Sequence, residues 1–167
     1  MSSELVYFGL GSNIGDRRQN LDKALDYLSQ RLRIAEVSSV YDTEPLGNTE
    51  QPRFLNMVCS TYTTLEPQAL LMLVKGIERK MGRQPGRTND PRTIDIDILF
   101  YGDKVIKTPE LVIPHPRLTQ RAFVLVPLAE IAPDLVHPAS GKNITELLGE
   151  VKQGIQGVLK LENSKEG

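Results

Sequence analysis

Asp90-Pro91-Arg92-Thr93-Ile94-Asp95-Ile96-Asp97-Ile98-Leu99-Phe100-Tyr101 is the stretch on which the reading of this chain turns. From Ile94 onward, β-branched apolar residues alternate with acids, the pattern of a half-buried strand. Alternation sends Ile94, Ile96 and Ile98 to one face and Asp95 and Asp97 to the other. The two carboxylates then stand roughly 7 Å apart, at about 3.3 Å rise per residue. Asp is depleted in strands and like charges on one face repel, so packing alone does not account for the pair. One account is an exposed edge strand whose acids face water and discourage aggregation. The other is a cation between the acids. Arg83, Arg87 and Arg92 lie just upstream. Carboxylates beside arginines suit a metal-bound polyphosphate, with hard oxygens on Mg2+ and guanidinium forks on the phosphates. The expectation is Mg-nucleotide chemistry.

Working back from that strand, Gly82 to Thr93 is a loop of about a dozen residues punctuated by Gly, Pro and Arg, a length that is usually functional. The helix before it opens at Thr64-Leu65-Glu66-Pro67, with Thr64 as the candidate cap and Pro67 in the first turn. Leu70, Val74, Ile77 and Met81 form its apolar stripe and Gly82 ends it. Phe54 to Thr63 and Ile34 to Tyr41 read as strands separated by a loop from Thr43 to Pro52, hence antiparallel neighbours. Leu21, Ala24, Leu25 and Leu28 mark a first helix to about Ser29, and Leu5 to Leu10 a first strand. Gly9, Gly11 and Gly15 miss the dinucleotide fingerprint by one residue and lack Gly-Lys-Ser/Thr, so they read as a tight strand-to-helix turn. The order β-α-β-β-α-β predicts an α+β, ferredoxin-like core: a four-stranded antiparallel sheet with two helices on one face. Downstream, a short strand is expected around Val105-Ile106, and prolines punctuate a C-terminal extension of short helices and extended pieces. A helix is expected over Thr145 to Val151 and a strand over Val158 to Lys160, and the tail frays from about 161. The whole chain, 1–167, reads as one domain.

Bulk properties narrow the partners. The chain is 40% hydrophobic and 25% charged with a net charge of −1, ordinary for a soluble domain. That balance argues against a general affinity for nucleic acid or for a membrane surface. No apolar run is long enough to span a bilayer, and Met1-Ser2-Ser3-Glu4-Leu5 lacks the regions of a signal peptide. Cys59, the single cysteine, excludes an internal disulfide and lies in an apolar run, so it reads as a core residue. The expected compartment is the cytoplasm.

Pro91-Arg92-Thr93-Ile94-Asp95-Ile96-Asp97-Ile98-Leu99 closely resembles the signature of the hydroxymethyldihydropterin pyrophosphokinases, enzymes of folate biosynthesis. The likeness extends from about Leu5 to Pro138. It takes in Gly11-Ser12-Asn13, Thr43 to Gly47, Phe54-Leu55-Asn56, Gly82-Arg83, Pro114-His115, Arg121 with Phe123, and Pro127 to Pro133. The resemblance implies transfer of the pyrophosphoryl group of ATP to the hydroxymethyl oxygen of a reduced pterin, with release of AMP. It implies that Asp95 and Asp97 hold two Mg2+ ions around the triphosphate. Arg83 and Arg92 match residues with a triphosphate or transition-state role, the former in a lid-like loop. His115 and Arg121 match residues on the ATP phosphates, Glu78 belongs to the same ATP site, and Ile98 offers its backbone to adenine.

For the pterin, the resemblance places Phe54 and Phe123 as two stacking rings, and offset stacking adds roughly 0.5–1.5 kcal/mol per ring. Asn56 presents an acceptor and donors to the amino-pyrimidinone edge, and Thr43 with the backbone of Pro45 and Leu46 supplies the remaining hydrogen bonds. Lys75, one turn from Glu78, reads as a surface ion-pair partner, and His137 as structural. The chain departs from the family where Asn89 and Asp90 replace a common Trp-Gly, where Pro85 stands near a usual arginine in a loop one residue shorter, and where Pro116 replaces a Tyr of some relatives. Arg87 has no clear counterpart. The expected assembly is a monomer using small-molecule substrates, with no nucleic acid and no membrane. Two other readings share parts of the pattern: another Asp-x-Asp, Mg-dependent nucleotidyltransferase, which would release pyrophosphate, and a ferredoxin-like nucleic-acid-binding module. The second needs exposed aromatics and basic residues on the sheet, and the chain has only four Phe and five Tyr.

Overall fold

The β-branched alternation does form a strand, and what it pairs with sets the plan of the molecule. A computed structural model describes residues 3–43, 53–82, 93–151 and 157–161. Strand β5 (Asp95–Tyr101) lies antiparallel to β1 (Glu4–Ser12), with Asp95 opposite Gly11 and Asp97 opposite Gly9. On its other side β1 pairs along its whole length with β4 (Phe54–Thr63), from Glu4 opposite Thr63 to Ser12 opposite Leu55. Beyond β4 come two short strands, β2 (Arg33–Val37) and β3 (Tyr41–Thr43), and β8 (Val158–Lys160) closes that side on β3.

The sheet therefore has six strands in the order β5-β1-β4-β3-β8, with β2 also on β4, where the sequence pattern counts four. Two causes account for the difference. The expected strand from Ile34 to Tyr41 is interrupted around Ser38, whose hydroxyl accepts from Val58 N–H and donates to the Ser39 carbonyl. The terminal strand at Val158 then joins the same sheet.

Helices cover both faces, another departure from the two-on-one-face expectation. Helix α1 (Arg17–Ser29) is capped by Asp16, whose carboxylate accepts from Gln19 N–H. Helix α2 (Pro67–Lys80) starts with Glu66 at the cap position and Pro67 at the first turn, so Thr64 does not cap it. Both bury their stripes, including Leu21, Leu28, Leu70 and Val74, against Phe8, Leu10, Met57, Ile96 and Ile98. On the opposite face α3 (Ala122–Ile131) and α4 (Ile144–Glu150) pack Leu125, Leu128 and Leu147 on Tyr7, Val58 and Phe100. The capping box of Asn143 and Glu146 starts α4. Strands β6 (Ile106–Lys107) and β7 (Val112–Ile113) form a separate hairpin.

Cys59 is fully buried and burial pushes its thiol up to about 12, as befits an inert core residue. His137 is buried as well, and its Nδ1 accepts from the Ala139 and Ser140 N–H groups, holding a turn. Among the described residues, no helix is long and apolar enough to cross a membrane.

Candidate active site

The two faces of the β1–β5 ladder differ in what they carry. Ile94, Ile96 and Ile98 are at most 5% exposed, under α1 and α2, while Asp95 and Asp97 stand half-exposed on the other side. Residues directly opposite in an antiparallel pair share a face, so Gly9 and Gly11 lie beside the aspartates. Gly9 sits inside β1 as the strand reading from Leu5 to Leu10 has it, whereas Gly11, expected to open the turn, also lies in the strand, which runs on to Ser12; among the three only Gly15, at φ 73°, takes the left-handed turn conformation. Their use is the space they leave. A side-chain carbon on Gly11 would come within 2.6 Å of Asn56 Nδ2 and 3.4 Å of the Phe54 ring.

That space is the floor of a cleft of about 530 Å³, a size that suits a small molecule. Asp95 and Asp97 line it from β5, Phe54 and Asn56 from β4, and Thr43 from β3. Register explains the grouping: Thr43 is opposite Phe54, and Asn56 is opposite both Gly11 and Tyr41. Asn56 is 9% exposed and its amide is oriented by Thr43, whose Oγ1 donates to Oδ1 at 2.6 Å. The opposite wall comes from the segment before α3 and its first turn, through Arg117, Gln120, Arg121 and Phe123. Arg121 lies 3.7 Å from Asp97 Oδ2 by Nη1, and its guanidinium stands 5.3 Å over the Phe123 ring.

His115 reaches the same carboxylate from outside the cleft lining, Nε2 lying 4.0 Å from Asp97 Oδ2. Burial, reinforced by the charges of Arg121 and Arg117, pulls the imidazole down to about 4. At neutral pH it is therefore uncharged. Its Nδ1 accepts from Arg117 N–H at 3.2 Å, which leaves the proton on Nε2, facing Asp97.

Glu78 enters from the Ile side. It is 6% exposed, and its Oε2 accepts from Ile96 N–H at 2.9 Å, on the edge of β5 away from β1. His115 N–H meets the Leu99 carbonyl, so two side segments brace β5 where no further strand pairs with it among the described residues. Ile98, two residues from Ile96, turns its backbone the same way.

Thr43, Phe54, Asn56, Asp95, Asp97, Arg121 and Phe123 are thus brought together, with His115 adjoining and Glu78 and Ile98 behind and beside the aspartate strand. Arg83, Arg92, Pro45 and Leu46 lie outside the described residues, as do Arg87 and Asn89-Asp90. Lys75 is an exposed residue of α2. Sequence reasoning missed Arg117 and Gln120. Pattern reading had no handle on them, because Arg117 caps and Gln120 ends a single 3-10 turn, Leu118–Gln120, too short to show a period.

The donor set accommodates a hard divalent cation. Two carboxylates on successive same-face positions, in no cluster of three or more His, Cys, Asp or Glu able to hold a metal among the described residues, match Mg2+, which keeps waters and takes phosphate oxygens.

Comparison with known proteins agrees. Residues 7–133 match the model of the family described as 7,8-dihydro-6-hydroxymethylpterin-pyrophosphokinase. The chain is 44% identical over 145 residues to the 2-amino-4-hydroxy-6-hydroxymethyldihydropteridine pyrophosphokinase of Aquifex aeolicus, covering 87% of this chain and 91% of that one. It is 40% identical over 152 residues to the Folic acid synthesis protein fol1 of Pneumocystis carinii, covering 90% of this chain but 20% of that longer protein. Among solved structures, the HPPK-DHPS protein in complex with substrates superposes with a TM-score of 0.76 at 16% identity, over 96% of this chain and 46% of that one. That likeness bears on the fold.

Proposed function

The chain belongs to the 7,8-dihydro-6-hydroxymethylpterin-pyrophosphokinase family, and from that premise we propose how its cleft carries out the reaction. The chain, as one domain, transfers the pyrophosphoryl group of ATP to the hydroxymethyl oxygen of 6-hydroxymethyl-7,8-dihydropterin, giving the pterin diphosphate and AMP, in folate biosynthesis. It works in the cytoplasm as a monomer.

The observation that carries this assignment is the lining of one cleft by an aspartate pair together with the Asn56 amide and the rings of Phe54 and Phe123. Thr43 spends its proton on Asn56, so its oxygen lone pairs are left to accept from the pterin amino group. Asn56 faces the amino-pyrimidinone edge, Phe54 and Phe123 take the ring faces, and the Pro45 and Leu46 backbone completes the set. A flat ring over Gly11 then lies beside Asp95, which directs its hydroxymethyl group toward the aspartates.

Asp95 and Asp97 would hold two Mg2+ ions beside the triphosphate. When bound, the ions supply positive charge against the phosphoryl oxygens on which charge develops. Arg121 and neutral His115 donate to phosphate oxygens from the side of Asp97, while Arg83 and Arg92 take the triphosphate and transition-state role that the resemblance implies. The nucleoside end lies along the braced edge of β5, with adenine on the Ile98 backbone and Glu78 beside it. The strand's Ile face is locked in the core, so the carboxylates keep their spacing while nucleotide enters and leaves.

Incubation with ATP, Mg2+ and the hydroxymethyl dihydropterin, followed by chromatography, tests the assignment. AMP and pterin diphosphate appear in equal amounts. Pyrophosphate in place of AMP would make the chain a nucleotidyltransferase, and no product from folded protein would remove the activity.

A further inference from the structure

Behind the cleft, on the face of β3 and β4 that the ligand does not see, lies a cluster with no part in the chemistry. Arg53 Nε donates to Asp42 Oδ1 at 2.5 Å. Its Nη2 donates to two carbonyls, Asp42 O and Gly157 O, each at 3.2 Å. Its own carbonyl accepts from Arg17 Nη1 at 2.8 Å, at the start of α1. One side chain and one peptide group thus join β3, the start of β4, α1 and the residue that leads into β8.

The next residue on each strand explains why this matters. Thr43 follows Asp42 and Phe54 follows Arg53, and these two stand directly opposite each other on the cleft face. Strand alternation puts Asp42 and Arg53 on the reverse side, so neither touches a molecule in the cleft. β3 is only three residues long, and its ladder has little rigidity of its own. It is held from outside by β8, with Thr43 opposite Val158, and by Leu161 N–H on the Val40 carbonyl. An exposed ion pair contributes little, but this half-buried guanidinium makes, among the described residues, three hydrogen bonds to two segments, the geometry in which such a pair fixes position.

We propose that Arg53, with Asp42, is a positioning residue for the pterin: it sets Thr43 against Asn56 and Phe54, and makes the C-terminal strand β8 part of the pterin wall. The inference rests on the pterin reading of the cleft. It assigns Arg53 no contact with substrate, and no influence on the nucleotide, whose aspartates sit two strands away on β5.

The test is equilibrium binding of fluorescent 6-hydroxymethylpterin with a non-hydrolysable ATP analogue and Mg2+ present, beside binding of the analogue alone. Arg53→Ala and Asp42→Ala each weaken pterin binding about tenfold, a typical coupling for contacting residues, with analogue binding unchanged. The reversed pair, Asp42→Arg with Arg53→Asp, recovers a large part of that loss. Arg53→Lys, which keeps the charge and loses the fork, falls between wild type and Arg53→Ala and serves if the alanine variant does not fold. Wild-type pterin affinity in Arg53→Lys and Arg53→Ala overturns the proposal. So does a parallel fall of pterin affinity, analogue affinity and melting temperature, the mark of a merely structural role. Wild-type protein that turns over no pterin removes the activity assignment itself, whereas active wild type with indifferent Arg53 variants removes the positioning role alone.

Discussion

The two faces of strands β1 and β5 are built from the same stretch of ladder, yet they obey opposite rules. Toward α1 and α2 every position is apolar and filled: Phe8, Leu10, Ile96 and Ile98 are each at most 5% exposed. Toward the cleft the neighbouring positions are Gly9, Gly11, Asp95 and Asp97, two with no side chain and two with like charge. A sheet selected for stability alone would fill the second face as it fills the first. The difference shows how a rigid site is made. Packing on one side fixes the backbone, and the other side is left free to hold charge and space that packing would exclude.

The comparison is most sharply broken by exchanging chemistry for packing on the open face. Asp97→Ala lowers turnover by at least about a hundredfold, as removal of a principal electrostatic group does. It leaves the melting temperature unchanged or raised, since a repulsive neighbour is gone. Steady-state kinetics with parallel calorimetry reads both. The converse exchange is Ile96→Ala on the filled face, which costs about 2–5 kcal/mol of stability in urea denaturation. Turnover per folded molecule survives better there than in the aspartate variant. If both variants lose activity and stability in the same proportion, the two faces do not divide the labour.

A subtler change tests the space itself. Gly11→Ala places a methyl group against Asn56 Nδ2, at 2.6 Å before relaxation, and raises the pterin KM about tenfold, roughly 1.4 kcal/mol. The KM for ATP stays near the wild-type value. Equal shifts for both substrates would mean that the glycine serves the strand and not the cleft.

The smallest effect is in the pH dependence of stability. Burial holds His137 below its ordinary value, and His115 is held down to about 4 by burial and by Arg121 and Arg117. Both bind protons less readily folded than unfolded. Their contribution is therefore intact above the unfolded value of about 6.5, and declines as pH falls below it toward the folded values. Urea midpoints at pH 7.5 and 5.5 show the decline, and His137→Asn, which has no proton to take up, flattens part of it.

Strand alternation made the two faces of β5 legible in the sequence, because a period of two needs no tertiary information. Helices α1 and α2 were legible for the same reason, in period 3.6. What pattern could not supply was adjacency. Gly11 looked like the start of a turn, and Gly9 like an ordinary strand glycine, because composition does not say what lies opposite them; their meaning came from the register with Asp97, Asp95 and Asn56. Glu78 was placed at the ATP site by resemblance and Lys75 read as its surface partner; that the Glu78 carboxylate is buried on the Ile96 N–H, a contact across eighteen residues of sequence, no pattern showed. The six-stranded sheet was undercounted since β3 and β8 are three residues each, too short to show a period. The pterin-side residues were identified by resemblance, and the physical account of Thr43 and Asn56 as one bonded unit required the structure.

The pairing of Val6 with Tyr101 has a consequence in time. β1 leaves the ribosome well before β5, and at about 5–20 residues per second it waits several seconds for the strand that bears the aspartates. Until then it can dock only on β4. A nascent chain passes through a stage that has the floor of the cleft and Phe54 but neither the aspartates nor the wall of Arg121 and Phe123, which follow in the chain. Such an intermediate offers β1 an unmatched edge, and a slow stretch of translation between α2 and β5 would lengthen its exposure.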